Sequence, residues 1–245
     1  MTRILIWDIP TRLFHALLAL AFTGAFAIPH LIDDDRPLFM VHMLLGGTMA
    51  FMVTLRVIWG FVGPKHSRFS ALPLRSAALL EYIKGTVRKD GPRYPGHNPA
   101  SAIAAALMLL FSLGLAGTGV LMGSLGEWAE ELHEFLAYAL LTTVVLHLAG
   151  LAWHSLRHRE NIALAMVDGR KLAEPTQAIA SPYPLTGLTF LVLTGLWAGI
   201  LVHQYDAPTR SLQVPGLASI SLGEVEDEGR EGAGHDGEDD DDDDD

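Results

Sequence analysis

The 245-residue sequence contains no cysteine. This absence excludes disulfide bonds, thiolate-held iron–sulfur clusters and the covalent attachment of haem through a Cys-x-x-Cys-His motif. Positive charge is also scarce, since 17 lysines and arginines stand against 28 acidic residues. A nucleic-acid-binding protein is therefore not indicated. Any redox centre must be held through nitrogen or oxygen ligands.

The acidic charge is concentrated at the C-terminus. From Glu224 to Asp245 the chain has 14 acidic residues and one basic residue, and it ends in seven consecutive aspartates. The net charge of −11 therefore belongs to this tail, and the rest of the chain is slightly positive. Such a run cannot bury apolar surface, and we predict a disordered acidic tail over 206–245.

Long apolar stretches are abundant, because half of the residues are apolar and the mean hydropathy is +0.29. A helix needs about 20 residues to cross the hydrocarbon core of a bilayer. Five stretches reach or approach this length, at 13–32, 38–63, 100–122, 133–154 and 185–203. We therefore predict an all-α integral membrane protein with five transmembrane helices, the fifth being the shortest.

Basic residues indicate the orientation of these helices. They cluster at the N-terminus, between the second and third stretches, and after the fourth, whereas the connections at 33–36 and 127–131 are acidic. We expect a cytoplasmic N-terminus and, with five spans, a periplasmic C-terminal tail; four spans would leave the tail in the cytoplasm. A cleaved signal peptide ending near Ala27 is the competing interpretation, but it would place Asp8 in the basic leader and discard His15.

Four histidines lie within the apolar stretches. His133 and His147 are fourteen residues apart, a spacing that turns a helix to within about 40° of whole turns and advances it about 21 Å. Their imidazoles therefore point from one face at two depths of the membrane. By span direction, His15 lies at the depth of His147, and His42 lies at the depth of His133. We call His15 and His147 the inner pair, and His42 and His133 the outer pair.

The two pairs favour haem over zinc. Zinc requires three or four protein ligands at one point, whereas a porphyrin supplies four equatorial nitrogens and leaves two axial positions for histidine. Two axial histidines leave no position for oxygen, so electron transfer is the expected chemistry. The alternative is that each histidine only hydrogen-bonds between helices. His154 could replace His147, but it would stretch the separation from His133 to about 31 Å, more than one hydrocarbon thickness.

Other residues near these histidines have two interpretations. Gly46 and Gly47 follow His42 and could let a flat macrocycle approach the backbone, or could allow close helix packing. Arg12 lies three residues before His15 and could pair with a haem propionate, or could serve as a cytoplasmic anchor. The remaining histidines are expected at the interface or in solvent. They are His30, His66, His97, His154, His158, His203 and His235.

Several motifs resemble the bacterial cytochrome b-561 and nickel-hydrogenase cytochrome b-subunit family, which is related to the formate dehydrogenase gamma subunit. The run from Ile6 to His15 is similar to the family's opening W-D-x-x-x-R-x-x-H. Arg56 to Gly63, followed by Arg68-Phe69, resembles a second signature, and Gly96 to Pro99 resembles a third. The resemblance covers residues 4–175, followed by an additional helix at 176–205 and the tail.

The resemblance implies a four-helix bundle with two non-covalent b-type haems held by the inner and outer pairs. It also implies electron exchange between the quinone pool and a periplasmic c-type cytochrome or redox enzyme subunit, in a bacterial inner membrane. Asn98 matches a position that lies near a quinone in some relatives. The acidic tail is either a solvated segment or a docking site for a basic electron carrier.

Two other functions fit the buried histidines. A proton- or metal-coupled transporter would use them as relays and would carry no haem. A structural anchor would hold a partner enzyme at the membrane, and electron flow would survive loss of His42 or His133.

Overall fold

A computed structural model describes residues 2–31, 39–88, 94–158, 161–208, 211–213, 216 and 219–221. Over these ranges it has seven α-helices: α1 Ile9–Leu31, α2 Phe39–Val62, α3 Ser76–Arg88, α4 Pro99–Leu125, α5 Glu127–His158, α6 Ala165–Asp168 and α7 Pro184–His203. Five of these, α1, α2, α4, α5 and α7, are long and apolar enough to cross a membrane. The five predicted spans are thereby confirmed as helices.

Four of the long helices form a bundle, and α7 packs against it and adds Phe190 to its buried core. Helix α1 packs on α2, α2 on α4, and α4 on α5. The core between them includes Phe14, Phe22, Val53 and Leu140. Helix α7 contacts α1 and α2, where the Trp197 indole donates to the Gly47 carbonyl at 3.1 Å.

A buried polar cap closes the end of the bundle where α1 begins, which we call the N-terminal end. Asp8 is fully buried, and its carboxylate accepts a hydrogen bond from the Thr11 amide at 2.8 Å, which satisfies a free donor of the first helical turn. The same carboxylate accepts from the Trp59 indole at 3.1 Å and from the Ser67 hydroxyl. These bonds hold the start of α1 against the end of α2.

A two-stranded sheet covers this cap. Strand β1, Thr2–Leu5, pairs antiparallel with β2, Arg170–Ala173. The segment before α1 and the segment after α6 therefore meet here. The turn before β2 contains Gly169 at φ 76°, and a Cβ at this position would lie 2.7 Å from the Trp7 carbonyl oxygen. Glycine is therefore required where the two segments cross.

Helix α3 is an addition to the predicted architecture. It lies in the basic connection between α2 and α4 and contacts α4. Leu80 and Ile83 are about half exposed, with relative exposures of 58% and 48%. A short amphipathic helix at the end of a membrane bundle suits the membrane–water interface.

Part of the segment predicted as a disordered tail is folded. Strands β3, Tyr205–Asp206, β4, Ser211–Gln213, and β5, Ser219–Ser221, form an antiparallel sheet at the opposite end of the bundle. Leu212 is buried against Met43 and Leu201, and this apolar contact orders the segment. The predicted tail boundary at 206 is thus wrong for these strands. The aspartate run and the acidic connection at 33–36 lie outside the described residues.

Candidate functional site

The outer pair meets at the end of the bundle opposite the N-terminus. His42 on α2 and His133 on α5 are both half-buried, and their ring centroids are 6.2 Å apart. Two imidazoles that bind one iron from opposite sides have centres roughly 6 Å apart, because each iron–nitrogen bond is about 2 Å long. The spacing of this pair therefore fits axial ligation of a haem iron.

Both imidazoles of the outer pair are held at Nδ1. The His42 Nδ1 lies 2.7 Å from the Ala25 carbonyl oxygen, which only accepts, so this nitrogen carries the proton. The His133 Nδ1 lies 2.9 Å from the Thr118 hydroxyl, which itself donates to the Gly114 carbonyl at 2.9 Å. The Thr118 oxygen therefore accepts from His133. These bonds leave Nε2 of each ring as the lone-pair donor for a metal.

The inner pair lies toward the N-terminal end. His15 on α1 is exposed and His147 on α5 is half-buried, and His15 is an electrostatic neighbour of His147. The structure thus sets His133 beside His42 near one end of α5 and makes His15 a neighbour of His147 near the other end.

Glycines beside the histidines differ in what surrounds them. A Cβ added at Gly46 or at Gly150 would meet nothing within 4 Å, and these residues lie four residues after His42 and three after His147. A Cβ at Gly47 would instead lie 2.9 Å from the Leu201 side chain. Gly46 and Gly150 thus leave room for a flat ligand beside each pair, whereas Gly47 serves helix packing.

Two further predicted site residues, Arg12 and Asn98, have local partners in the structure. The Arg12 guanidinium donates to the Met166 carbonyl at 3.3 Å and to the Val167 carbonyl, and so joins α1 to the end of α6. Asn98 precedes α4, and its side-chain oxygen accepts from the Ser101 amide at 2.8 Å as an N-cap. The propionate role of Arg12 and the quinone role of Asn98 stay predictions.

A cavity of about 270 Å³ reaches the inner pair from the side of α4 and α5. Its wall is mostly apolar and includes Leu107, Leu146 and Leu151. The polar lining groups include Asn98, Thr143 and His147. An apolar cavity with a few convergent polar groups is the usual form of a small-molecule site.

A cluster of basic residues beside the inner pair was not predicted from the sequence. This basic cluster consists of Arg56, His66, His97 and Lys171. His97 packs edge-on against Trp7 at 4.8 Å, and desolvation, with the nearby charges of Arg56 and Lys171, lowers the pKa of His97 to about 3. His66 is 6% exposed, and burial is the main cause that lowers its pKa. The expectation that these two histidines are solvated is wrong, because the chain after α2 and before α4 folds over the bundle end.

The sequence did contain a signal for this cluster. Arg56 follows His42 by fourteen residues, the interval that separates His133 from His147. In the sequence, Arg56 also begins the second signature, Arg56 to Gly63. In the part of the chain that the structure covers, no group of three or more His, Asp or Glu side chains forms a metal site.

Comparisons with known proteins identify the family of the chain. The family model described as prokaryotic cytochrome b561 matches residues 6–169. A protein of Rhizobium leguminosarum bv. viciae named "Probable Ni/Fe-hydrogenase B-type cytochrome subunit" is 24% identical over 211 residues, covering 68% of this chain and 88% of the relative. A protein of the same name from Rhodobacter capsulatus is 20% identical, covering 69% and 82%. No solved structure matches the chain with significance.

Proposed function

The chain belongs to the prokaryotic cytochrome b561 family, and from this premise we propose that it relays electrons across a bacterial inner membrane through two haems. The family and the names of the relatives identify a multi-pass membrane cytochrome b that takes part in electron transfer. The number of haems, their ligands, the quinone and the partner are parts of our proposal.

The observation that carries the proposal is the convergence of four histidines into two pairs. The rings of His42 and His133 are 6.2 Å apart, and His15 and His147 are electrostatic neighbours at the other end. Fourteen residues of α5 separate the two levels by about 21 Å. We assign one haem to each pair, so that electrons entering at one end of the bundle can leave at the other.

The residues of the chain define what each site can do. A b-type haem supplies a reversible one-electron couple between ferric and ferrous iron. With both histidines of a pair bound to the haem that they would hold, each site would favour electron transfer over oxygen chemistry. Ala25 and Thr118 fix the tautomers of the outer histidines, and the apolar helices lower the dielectric around both pairs.

We place the exchange with quinone at the cavity beside the inner pair. Its apolar lining suits the ring and tail of a quinone, and the cavity touches His147 directly. The cap of α4 uses the oxygen of Asn98, which leaves the amide NH2 of this side chain as a donor to a quinone carbonyl.

The partner in our proposal is a redox enzyme subunit or c-type cytochrome on the periplasmic side. The relatives are named as hydrogenase subunits, which supports a redox enzyme as the partner. The basic residues of the connections at 64–98 and 157–171 support a cytoplasmic N-terminal end. Electrons are then exchanged with the partner at the outer pair, near the end that carries β3 to β5.

Haem stoichiometry tests this proposal. We expect two non-covalent b haems per chain in the purified protein, with a low-spin spectrum. Replacing either His42 or His133 by leucine should remove the outer haem, and replacing His15 or His147 should remove the inner one. His203→Leu is the matched control, because this exposed histidine at the end of α7 lies in neither pair, and it should retain two haems. Two haems in any of the four pair variants would refute the assignment.

The transporter hypothesis makes the opposite prediction. A proton- or metal-coupled transporter would contain no haem, and its activity would follow an ion gradient rather than a redox couple. An anchor without redox function would keep electron flow after His42→Leu. The stoichiometry and an electron-transfer assay on the same four variants separate these functions from the haem relay.

A further inference from the structure

Arg56 is a buried cation at the depth of the inner pair. It is 7% exposed and lies on α2, fourteen residues after His42. This interval, about 21 Å of helix, places Arg56 on the face of α2 that carries His42 and at the N-terminal end of the bundle. Arg56 therefore follows His42 on α2 at the same interval at which His147 follows His133 on α5.

The guanidinium of Arg56 is only partly satisfied by the protein. Its Nη2 donates to the Ser67 carbonyl at 3.0 Å, and its Cζ lies 5.5 Å from the centre of the Phe69 ring. Among the residues that the structure describes, the buried Nη1 has no hydrogen-bond partner. An unpaired buried donor on a charged group is rare in folded proteins and indicates a site for an acceptor.

The nearby carboxylate does not fill this role. Asp8 is an electrostatic neighbour of Arg56, but its oxygens already accept from the Thr11 amide and the Trp59 indole, and from the Ser67 hydroxyl. Asp8 therefore balances the charge of Arg56 in part without bonding to its Nη1.

His97 connects Arg56 to the inner pair. Arg56, Lys171 and His147 are among its electrostatic neighbours, so His97 is near both the buried guanidinium and a histidine of the inner pair. Lys171 adds a second permanent cation, held by the carbonyls of Tyr94 and Gly96 at 3.0 and 3.1 Å. Two permanent cations and one buried carboxylate leave this region positive. The region thus suits an anionic ligand with planar, paired oxygens.

We propose that Arg56, together with His97, binds a propionate carboxylate of the haem held by His15 and His147. The inference rests on the proposed function, because it requires a haem at the inner pair. The planar fork of arginine matches the two oxygens of a carboxylate, and the bond is strong where water is excluded. Arg12, the candidate from the sequence, directs its donors to the Met166 and Val167 carbonyls, whereas Arg56 has a buried donor to spare.

The test compares haem b with its dimethyl ester, which lacks the propionate charges but keeps the iron and the ring. Detergent-purified full-length chain carrying His42→Leu, which removes the outer haem, is stripped of haem and titrated with each pigment. We expect the parent to bind haem b more tightly than the ester. Arg56→Met should weaken binding of haem b on the order of tenfold to a hundredfold and leave binding of the ester unchanged.

Two further variants decide between a binding role and a structural one. Arg56→Lys keeps the charge but loses the fork, and it should fall between the parent and Arg56→Met. Arg75→Met is the matched control from the same end of the bundle, because Arg75 is exposed, and it should not change the preference for haem b over the ester. An equal loss for both pigments in Arg56→Met, or no preference in the parent, would overturn the inference.

The proposed function can fail separately. A parent chain that binds neither pigment would refute the inner haem itself. A parent that binds both pigments equally would leave the haem relay intact and refute only the role of Arg56.

Discussion

At the residue scale, both rings of the outer pair are held by hydrogen bonds at Nδ1. His42 and His133 each direct Nδ1 to an acceptor, the Ala25 carbonyl and the Thr118 hydroxyl. Such bonds increase the basicity of the opposite nitrogen and so stabilise the ferric state of a ligated iron. In the proposed outer haem site, these two bonds would therefore influence the reduction potential.

Thr118→Val removes one of these acceptors without changing the size of the side chain. We expect the reduction potential of the outer haem to rise by on the order of tens of mV, with little change at the inner haem. A redox titration of the holoprotein measures both. Thr54→Val is the matched control, because Thr54 is an exposed α2 residue that also bonds back to its own helix, to Ala50 at 2.9 Å. Equal shifts in the two variants would rule out an effect through His133.

Asn98 combines a structural and a proposed binding role that substitution can separate. Aspartate caps a helix as well as asparagine does but has no NH2 group, so Asn98→Asp should keep the thermal stability and weaken quinone binding. Asn98→Ala should lose both the helix cap and the quinone contact, and the lost cap should cost about 1 kcal/mol of stability. The KM for a quinol analogue and the melting temperature are the measurements. An unchanged KM in the aspartate variant would remove Asn98 from the quinone site.

The histidine pairs could be predicted from the sequence, because helical spacing fixes both the face and the depth of a side chain in a membrane span. The basic cluster could not be assembled in the same way. His97 and Lys171 lie outside the spans, and only the folding of two connections over the bundle end brings them to Arg56. The contact is between segments far apart in sequence, and no periodic pattern records it.

At the element scale, α7 packs against α1 and α2, and its Phe190 lies in the same buried cluster as Phe14 and Val53. A Cβ at Gly187 would lie 2.5 Å from the Ile9 side chain, which shows how closely α7 approaches α1. Further along α7, a Cβ at Gly195 would meet nothing within 4 Å. Helix α7 thus has one glycine, Gly187, where a larger side chain would clash, and another, Gly195, where it would not.

These two glycines make a matched pair of variants. Gly187→Leu should push α7 away from α1 and cost about 1–3 kcal/mol of stability, while both haems are retained because the four histidines lie on other helices. Gly195→Leu should change stability much less. Thermal unfolding in detergent, followed by haem absorbance and by far-UV circular dichroism, measures both effects. Loss of a haem in Gly187→Leu would show that α7 supports the haem sites directly.

The transmembrane helices could be predicted from the sequence because each is marked by one long apolar stretch. The spans were found because some 20 apolar residues leave few alternatives, and the predicted stretch at 185–203 corresponds to α7, Pro184–His203. Helix α3 was not predicted, because 13 residues with low mean apolarity fall below the length of a span. The pairing of β1 with β2 joins residues about 170 positions apart, and short strands of this kind have no local signal.

At the scale of the whole molecule, the two ends of the bundle have different chemistry. The N-terminal end carries the inner pair, the basic cluster, the cavity and the buried Asp8 cap. The opposite end carries the outer pair and the small sheet that follows α7. This polarity matches a relay in which quinone and a protein partner exchange electrons at different membrane surfaces.

The polarity leads to a prediction about topology. An odd number of spans places the chain ends on opposite sides, so a reporter fused after Asp245 should be active in the periplasm. A reporter inserted in the connection at 72–75, between α2 and α3, should be active in the cytoplasm, because this basic segment belongs to the N-terminal end. Alkaline phosphatase and green fluorescent protein fusions give opposite readouts for the two compartments.

If both positions reported from the cytoplasm, α7 would not cross the membrane, and the small sheet and the acidic tail would have to lie on the cytoplasmic side. That result would also conflict with the contact of Leu212 with Met43 at the outer-pair end.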